Sequence, residues 1–151
     1  MKERILVVDD QNDVADALVR LLVTLGYDAK AIYDGRQAVD QAAEFLPDML
    51  FIDIGMPGFD GYQTVSRIRG HRECAHAIFV AVTGWTTNED RQHAYANGFD
   101  LHVAKPMNME SLQGLLNLLD PSETESTAAR IRDFSSTSKQ AAQAAGGGNR
   151  Q

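Results

Sequence analysis

Short apolar runs separated by helical patterns are the feature of this sequence that most constrains its fold. The strongest runs are apolar throughout instead of alternating with polar residues, as is typical of strands buried on both faces of a parallel sheet. Five runs predict strands: Ile5–Val8, Ala29–Tyr33, Met49–Ile52, Ile78–Val82 and Leu101–Ala104.

A segment with apolar residues at helical spacing follows each run. Asp34 is predicted to cap the second of these helices and Thr87 the fourth. The second helix is expected to turn four residues inward: Ala38, Val39, Ala42 and Leu46. The repeated alternation predicts an α/β fold, a flavodoxin-like doubly wound (βα)5 with a five-stranded parallel sheet of order 2-1-3-4-5 and helices on both faces.

The composition changes near residue 120. Residues 1–120 are predicted to form one domain. Residues 121–151 are rich in Ser, Thr, Ala, Gln and Gly, and beyond Phe134 too little apolar surface remains to offset the entropy of ordering. We therefore predict a flexible tail there, with a short helix near 123–134.

Charge and cysteine content exclude several classes of protein. With 21 acidic and 14 basic residues, the net charge of −7 argues against direct nucleic-acid binding. The single cysteine, Cys74, excludes an internal disulfide and fits a reducing compartment. The apolar stretch near the N-terminus is too short for a signal peptide or a membrane span. We expect a cytoplasmic protein that does not insert into membranes.

Chemically active residues follow the strands at one edge of the predicted sheet. Asp9 and Asp10 follow the first strand, Asp53 the third, Thr83 the fourth and Lys105 the fifth. Because ligands of open α/β sheets bind at the carboxyl ends of the strands, these side chains should meet in one crevice. Taken singly they have simpler interpretations, such as a helix cap, a turn residue or a solvated lysine. Together they favour a site.

Three neighbouring carboxylates repel one another unless a cation lies among them. Oxygen ligands with open positions suit Mg²⁺, which completes its shell with water and phosphate oxygens. Lys105 and Thr83 would hold further phosphoryl oxygens, as phosphoryl transfer requires. Asp53, alone at the end of the central strand, is the best-placed nucleophile.

At this point the sequence resembles the response-regulator receiver family over residues 3–120. The resemblance rests on four motifs in order: Val7-Val8-Asp9-Asp10, the segment from Asp53 to Gly61 (DIGMPGFDG), Val82-Thr83-Gly84 and Ala104-Lys105-Pro106.

The resemblance implies a role for each acidic residue. Asp53 would be the phosphoacceptor. Asp10 would bind Mg²⁺ directly and Asp9 mainly through water. The backbone carbonyl of Gly55 would add a further ligand.

The resemblance also implies how the phosphoryl group is held. Thr83 would hydrogen-bond one phosphoryl oxygen and Lys105 would pair with another. The Lys105–Pro106 peptide bond is expected to be cis.

The predicted function is a phosphorylation-dependent conformational switch in two-component signal transduction. A sensor histidine kinase or a histidine phosphotransfer protein would phosphorylate Asp53. The chain would catalyse only its own phosphorylation and dephosphorylation, and so would not be a turnover enzyme. The switched surface would lie around the fourth helix, the fifth strand and the fifth helix. The identity of the output protein stays open, as does whether the chain dimerises on phosphorylation.

Alternatives of other classes are less well supported. A phosphorelay intermediate, or a phosphate sink without its own output, would use the same phosphoacceptor site. An aspartate-nucleophile phosphatase would need an acid/base Asp where Gly55 stands, and a flavin-binding domain would need a hydroxyl-rich loop where the sequence has Asp9 and Asp10. His71, Cys74 and His76 offer soft metal ligands but no fourth partner, so we predict no metal there.

Three residues depart from the commonest receiver pattern. His102 stands where an aromatic residue usually reports the phosphorylation state, and its imidazole could titrate near neutral pH. Gly55 offers no side chain, and Trp85 is large for its position. With Pro106, these residues are expected to affect switching and phosphoryl lifetime.

Overall fold

The structure is a computed structural model that describes residues 2–84, 87–119 and 131. Within them, strands and helices alternate along the chain. The strands are β1 (Arg4–Val8), β2 (Asp28–Ile32), β3 (Met49–Asp53), β4 (Ile78–Thr83) and β5 (Leu101–Ala104). The helices are α1 (Asn12–Thr24), α2 (Gly35–Phe45), α3 (Gly61–Arg69), α4 (Asn88–Ala96) and α5 (Met109–Leu116).

The five strands form one parallel sheet in the order β2-β1-β3-β4-β5. The predicted fold is confirmed. Strands β3 and β4 each extend one residue beyond their apolar run, because Asp53 pairs in register with Val82 and Thr83 with Ala104. Two of the predicted site residues are therefore strand residues, held by the backbone ladder.

Alternate strand residues point to opposite faces of the sheet. On one face, α2, α3 and α4 contribute to a single buried cluster with the strands. Its strand members are Leu6, Val8, Ile32, Leu50, Ile52, Phe79 and Ala81, and its helix members include Ala38, Ala42, Val65, Ile68 and Ala94. Helix α1 buries Ala15 and Leu22 outside this cluster.

Helix starts agree with the capping residues in the sequence. The Asp34 side chain accepts a hydrogen bond from the Arg36 N–H, and the Thr87 hydroxyl accepts one from the Asp90 N–H.

One prediction about α2 is wrong: the Leu46 side chain does not point inward but is 39% exposed. Helix α2 ends at Phe45, and Leu46 adopts a left-handed conformation (φ 53°) that turns its side chain toward solvent.

The chain divides into two compact units, Met1–Pro106 and Met107–Gln151. The first contains the five strands and α1–α4. The second contains α5, which buries Leu112, Leu115 and Leu116. Apart from Ile131, which is helical, the predicted tail lies outside the described residues, and the division at residue 120 stays a prediction. Among the described residues, none of the helices has the length and apolar character that crossing a membrane requires.

Candidate functional site

The predicted carboxylates meet at the carboxyl end of the sheet. Strands β1 and β3 are neighbours, with Val8 in register with Ile52. Asp9 and Asp10 follow β1, and Asp53 is the last residue of the neighbouring strand β3. One carboxylate oxygen from each of the three aspartates lies within 4.8 Å of the other two. Asp9 and Asp53 are buried, whereas Asp10 is exposed. In the described part of the chain, this is the one group of three acidic, His or Cys side chains spaced to hold a metal ion.

Lys105 provides a positive charge inside this cluster. Its ammonium Nζ lies 2.9 Å from Asp9 Oδ2 and 3.1 Å from Asp53 Oδ2. The backbone N–H of Lys105 donates to the Thr83 carbonyl at 2.8 Å, which ties the end of β5 to the end of β4. The Lys105–Pro106 peptide bond is cis, as expected.

The ion pairs change the acidity of Lys105. Partial burial, the largest single influence, lowers its pKa, but hydrogen bonds and charge from Asp9 and Asp53 together raise it above the ordinary value of 10.5. The ammonium form is therefore stabilised by the two carboxylates.

Both oxygens of each buried carboxylate are held in place. Asp9 Oδ1 accepts a hydrogen bond of 2.9 Å from the Gln11 N–H, and Asp53 Oδ1 accepts one of 2.9 Å from the Gly55 N–H. Their Oδ2 atoms face Lys105. Main-chain donors after β1 and β3 thus orient the carboxylates before any ligand arrives.

Thr83 lies on the strand next to Asp53. It is the last residue of β4 and is buried. Asp53 pairs with Val82 in the neighbouring strand β4, and Thr83 is the next residue of β4 after Val82. Thr83 therefore lies one residue beyond the level of Asp53, at the same edge of the sheet. The structure thus brings Thr83 to the edge where Asp9, Asp53 and Lys105 meet.

The residues expected to affect switching differ in where they lie. His102 is half-buried in β5, in register with Ala81. Trp85 lies outside the described residues. Gly55 lies two residues after Asp53, the last residue of β3, and its N–H donates a hydrogen bond to the Asp53 carboxylate.

The soft-ligand cluster suggested by the sequence does not form. Cys74 is fully buried and its thiol donates to the Ala42 carbonyl at 3.5 Å. Burial raises the pKa of this thiol, which disfavours the thiolate that metals bind. The His76 imidazole lies instead 3.8 Å from an Asp48 carboxylate oxygen.

A cleft of about 300 Å³ adjoins the acidic cluster and was not foreseen from the sequence. It lies between the start of α2 and the segment between β3 and α3. Its lining residues are Asp10, Tyr33, Asp34, Gly35, Arg36, Met56, Pro57, Gly58 and Phe59. Asp10 belongs both to the cleft and to the carboxylate cluster.

Two glycines beside the site were also missed, although the sequence contains a signal for them. The pair Asp-Gly occurs at Asp34-Gly35 and at Asp60-Gly61, and in both places the aspartate caps a helix that begins with the glycine. The reason for glycine is steric at both positions. A side-chain Cβ there would overlap neighbouring atoms.

Comparison with known proteins identifies the class to which this fold and site belong. The sequence profile of the response regulator receiver domain matches residues 5–117. The chain belongs to the receiver domain family of response regulators, a family of two-component systems.

Among relatives, response regulator MprA of Mycobacterium tuberculosis is 32% identical over 139 residues. The match covers 89% of this chain and 60% of MprA, so the chain spans less than two thirds of that protein's length.

Solved structures agree on the fold. Chemotaxis protein CheY4 of Vibrio cholerae superposes with a TM-score of 0.74 at 26% identity, covering 78% of this chain and 98% of CheY4. The signal receiver domain of a DNA binding response regulator from Colwellia psychrerythraea gives a TM-score of 0.72 at 28% identity, covering 78% and 98%.

Proposed function

We propose that this chain is a phosphorylation-dependent switch that accepts a phosphoryl group on Asp53. The observation that carries the proposal is the position of the Asp53 carboxylate. It lies at the end of the central strand, inside a cluster of three carboxylates, and 3.1 Å from the Lys105 ammonium.

The donor set suits Mg²⁺. Asp9, Asp10 and Asp53 offer hard oxygen ligands on one open side of the sheet, and Asp10 is exposed to an incoming hydrated ion. These three residues and the Gly55 carbonyl would hold it. When bound, the ion would neutralise charge on the transferring phosphoryl oxygens.

The chain's own residues would perform the transfer. A carboxylate oxygen of Asp53 forms a bond to phosphorus while the bond from phosphorus to the donor breaks. With phosphohistidine as donor, the imidazole nitrogen keeps the electron pair of the broken bond and takes up a proton. Lys105 and Thr83 hold the equatorial oxygens, where charge spreads in the transition state.

The proposed partners are a sensor histidine kinase or a histidine phosphotransfer protein as donor, and an output protein that recognises the phosphorylated state. The chain would modify only itself and not turn over a metabolite. Gly55 stands where an aspartate-nucleophile phosphatase would need its acid/base residue. The single cysteine, a buried thiol, suits the cytoplasm as the compartment.

Acetyl phosphate with Mg²⁺ provides a direct test. Intact-protein mass spectrometry should show the mass of one added phosphoryl group, because Asp53 is the nucleophile. Asp53→Asn should abolish the addition, and Asp40→Asn, a matched change at an exposed helix residue, should leave it unchanged. Undiminished labelling of the Asp53→Asn chain would contradict the proposal.

Calorimetric titration with Mg²⁺ tests the metal site separately. Asp10→Ala should weaken binding far more than His71→Ala or His76→Ala, because Asp10 belongs to the carboxylate cluster and the histidines do not. A dominant effect of either histidine would show that the cation binds elsewhere.

A further inference from the structure

The segment between β3 and α3, residues 54–60, packs closely against the start of α2. We call it the β3–α3 loop. A Cβ atom built on Gly35 would lie 2.3 Å from Thr64 Oγ1 and 2.8 Å from both Cδ1 and the carbonyl oxygen of Phe59. Real Cβ atoms do not approach other atoms this closely, so the contact requires glycine at residue 35.

The other end of the loop packs against the phosphoacceptor itself. A Cβ on Gly61 would lie 2.5 Å from Ile54 Cα and 2.7 Å from the Asp53 carbonyl oxygen. The start of α3 therefore rests on the backbone of Asp53. Glycine contacts thus hold the loop at α2 and at Asp53.

Side chains reinforce the contact with α2. The Arg36 guanidinium carbon lies 5.7 Å from the centre of the Phe59 ring, within the range of a cation–π interaction. The Asp60 and Gln63 side chains form a reciprocal capping box, and the Thr64 hydroxyl donates to the Asp60 carbonyl at 2.8 Å. The end of the loop that contacts α2 is therefore well supported.

The middle of the loop lies between the core and a cleft, with Met56 buried in the core cluster. Met56, Pro57 and Gly58 line the cleft of about 300 Å³ that Asp10 also lines. The position of this middle part beside the carboxylate cluster therefore depends on the packing of Met56 and on the contacts at the two ends of the loop.

We propose that Gly35 and Phe59 are positioning residues for the divalent cation and the phosphoacceptor, an inference that rests on the proposed function of Asp53. Their contact fixes the β3–α3 loop, and the loop in turn fixes the Asp53 carboxylate through the hydrogen bond of 2.9 Å from the Gly55 N–H to Asp53 Oδ1. Gly35 and Phe59 are outside the carboxylate cluster, so they act through the loop.

The physical basis is the sensitivity of metal ligands to their supporting contacts. Residues that orient ligands typically change metal affinity by 10- to 100-fold when they are altered. A bulkier residue at position 35 must push the Phe59 carbonyl or the Thr64 hydroxyl away, and the displaced loop would turn the Gly55 N–H and the Asp53 carboxylate together.

The test compares three variants by calorimetric titration with Mg²⁺ and by the rate of phosphoryl incorporation from acetyl phosphate at increasing Mg²⁺. Gly35→Ala should weaken Mg²⁺ binding about tenfold. Phe59→Leu, which removes the ring without changing charge, should weaken it roughly threefold. Gly70→Ala is the matched control, because a Cβ there meets only the Arg67 and Ser66 carbonyls, at 3.2 and 3.9 Å.

The two readouts separate positioning from loss of stability. For a positioning role, the Mg²⁺ concentration at half-maximal rate should rise while saturating Mg²⁺ restores most of the rate. If Gly35→Ala does not fold, Phe59→Leu decides by the same measurements. Variants that match Gly70→Ala in Mg²⁺ affinity, or that lose rate without any change in Mg²⁺ dependence, would overturn the inference.

The wild-type chain distinguishes the two proposals. If it neither binds Mg²⁺ nor takes up a phosphoryl group, the proposed function and this inference both fail. If it does both and the variants behave like the control, only the positioning role is overturned.

Discussion

Lys105 stabilises the site electrostatically, because its ammonium pairs with both Asp9 and Asp53. Its pKa is higher in the folded chain than the ordinary 10.5, since the two carboxylates outweigh the effect of burial. A group with a raised pKa stabilises the fold while protonated. That stabilisation is complete below the unfolded-state pKa and is lost as the pH rises through the folded-state value.

The first prediction therefore concerns alkaline pH. In EDTA-containing buffer at pH 8, Lys105→Met should lower the free energy of unfolding by about 1 kcal/mol. The difference from wild type should shrink as the pH rises above 10.5, as measured by urea unfolding. Lys30→Met is the control, because Lys30 bonds to the neutral Gln41 amide. A difference that grows with pH would contradict the assignment.

Gly55 is expected to influence the lifetime of the acyl phosphate. Hydrolysis needs a water molecule in line with phosphorus, and glycine cannot orient one. A Cβ at residue 55 would lie at an ordinary distance of 3.5 Å from Asp53 Oδ1, so a side chain fits there. Gly55→Asn should therefore speed the loss of phosphoryl group, because an amide can direct water.

The measurement is the decay of phosphorylated protein after donor removal with Mg²⁺ present. Gly55→Ala adds bulk without a polar group and should decay at nearly the wild-type rate. Trp85→Glu is predicted from the sequence to speed decay as well. Equal decay in wild type, Gly55→Asn and Trp85→Glu would remove both residues from the mechanism.

Single residues also show where prediction from sequence succeeds. The meeting of Asp9, Asp53 and Lys105 was predictable because each follows an apolar run, and parallel strands carry their ends to one edge. The close contact of Gly35 with Phe59 was not predictable, because it joins segments far apart in sequence whose distance depends on helix packing.

At the scale of elements, α4 depends strongly on its cap. It buries a single described residue, Ala94, so packing contributes little to its stability. The Thr87 hydroxyl accepts from the Asp90 N–H at 3.1 Å and donates to the Asp90 carboxylate at 2.6 Å. These bonds satisfy groups that a helix start otherwise leaves unpaired.

Thr87→Ala should therefore lower the opening free energy of α4 by about 1 kcal/mol, measured by hydrogen exchange of its amides. Thr24→Ala is the matched control, because the Thr24 hydroxyl bonds to the Arg20 carbonyl at the end of α1 and caps no N–H group. Equal losses in the two helices would contradict this role for the Thr87 cap.

Strand bounds were predictable to within one residue because apolar runs mark them, and the capping residues Asp34 and Thr87 marked the starts of α2 and α4. Leu46 shows the limit of a periodic pattern. The helical period continues through it, but the backbone turns left-handed before Pro47 and exposes the side chain.

At the scale of the whole molecule, the sheet order was predictable from the alternation of strands and helices and from the handedness of crossovers.

The composition of residues 121–151 predicts a segment that contributes little to stability. Truncation after Asp120 should leave the free energy of unfolding within about 1 kcal/mol of the full chain, as measured by thermal or urea unfolding. A larger loss would show that residues near 131–134 stabilise the domain.

The shared ammonium of Lys105 has a consequence for how the whole molecule responds to its ligands. An acyl phosphate on Asp53 carries roughly two negative charges in place of one, and it would draw Lys105 away from Asp9. The cluster would then attract a divalent cation more strongly. Thermodynamic reciprocity requires the cation to favour the acyl phosphate by the same factor. At equilibrium with a phosphoryl donor, the population of phosphorylated molecules would therefore rise with cation concentration. The state of the switch would depend on the donor concentration and on the cation concentration together.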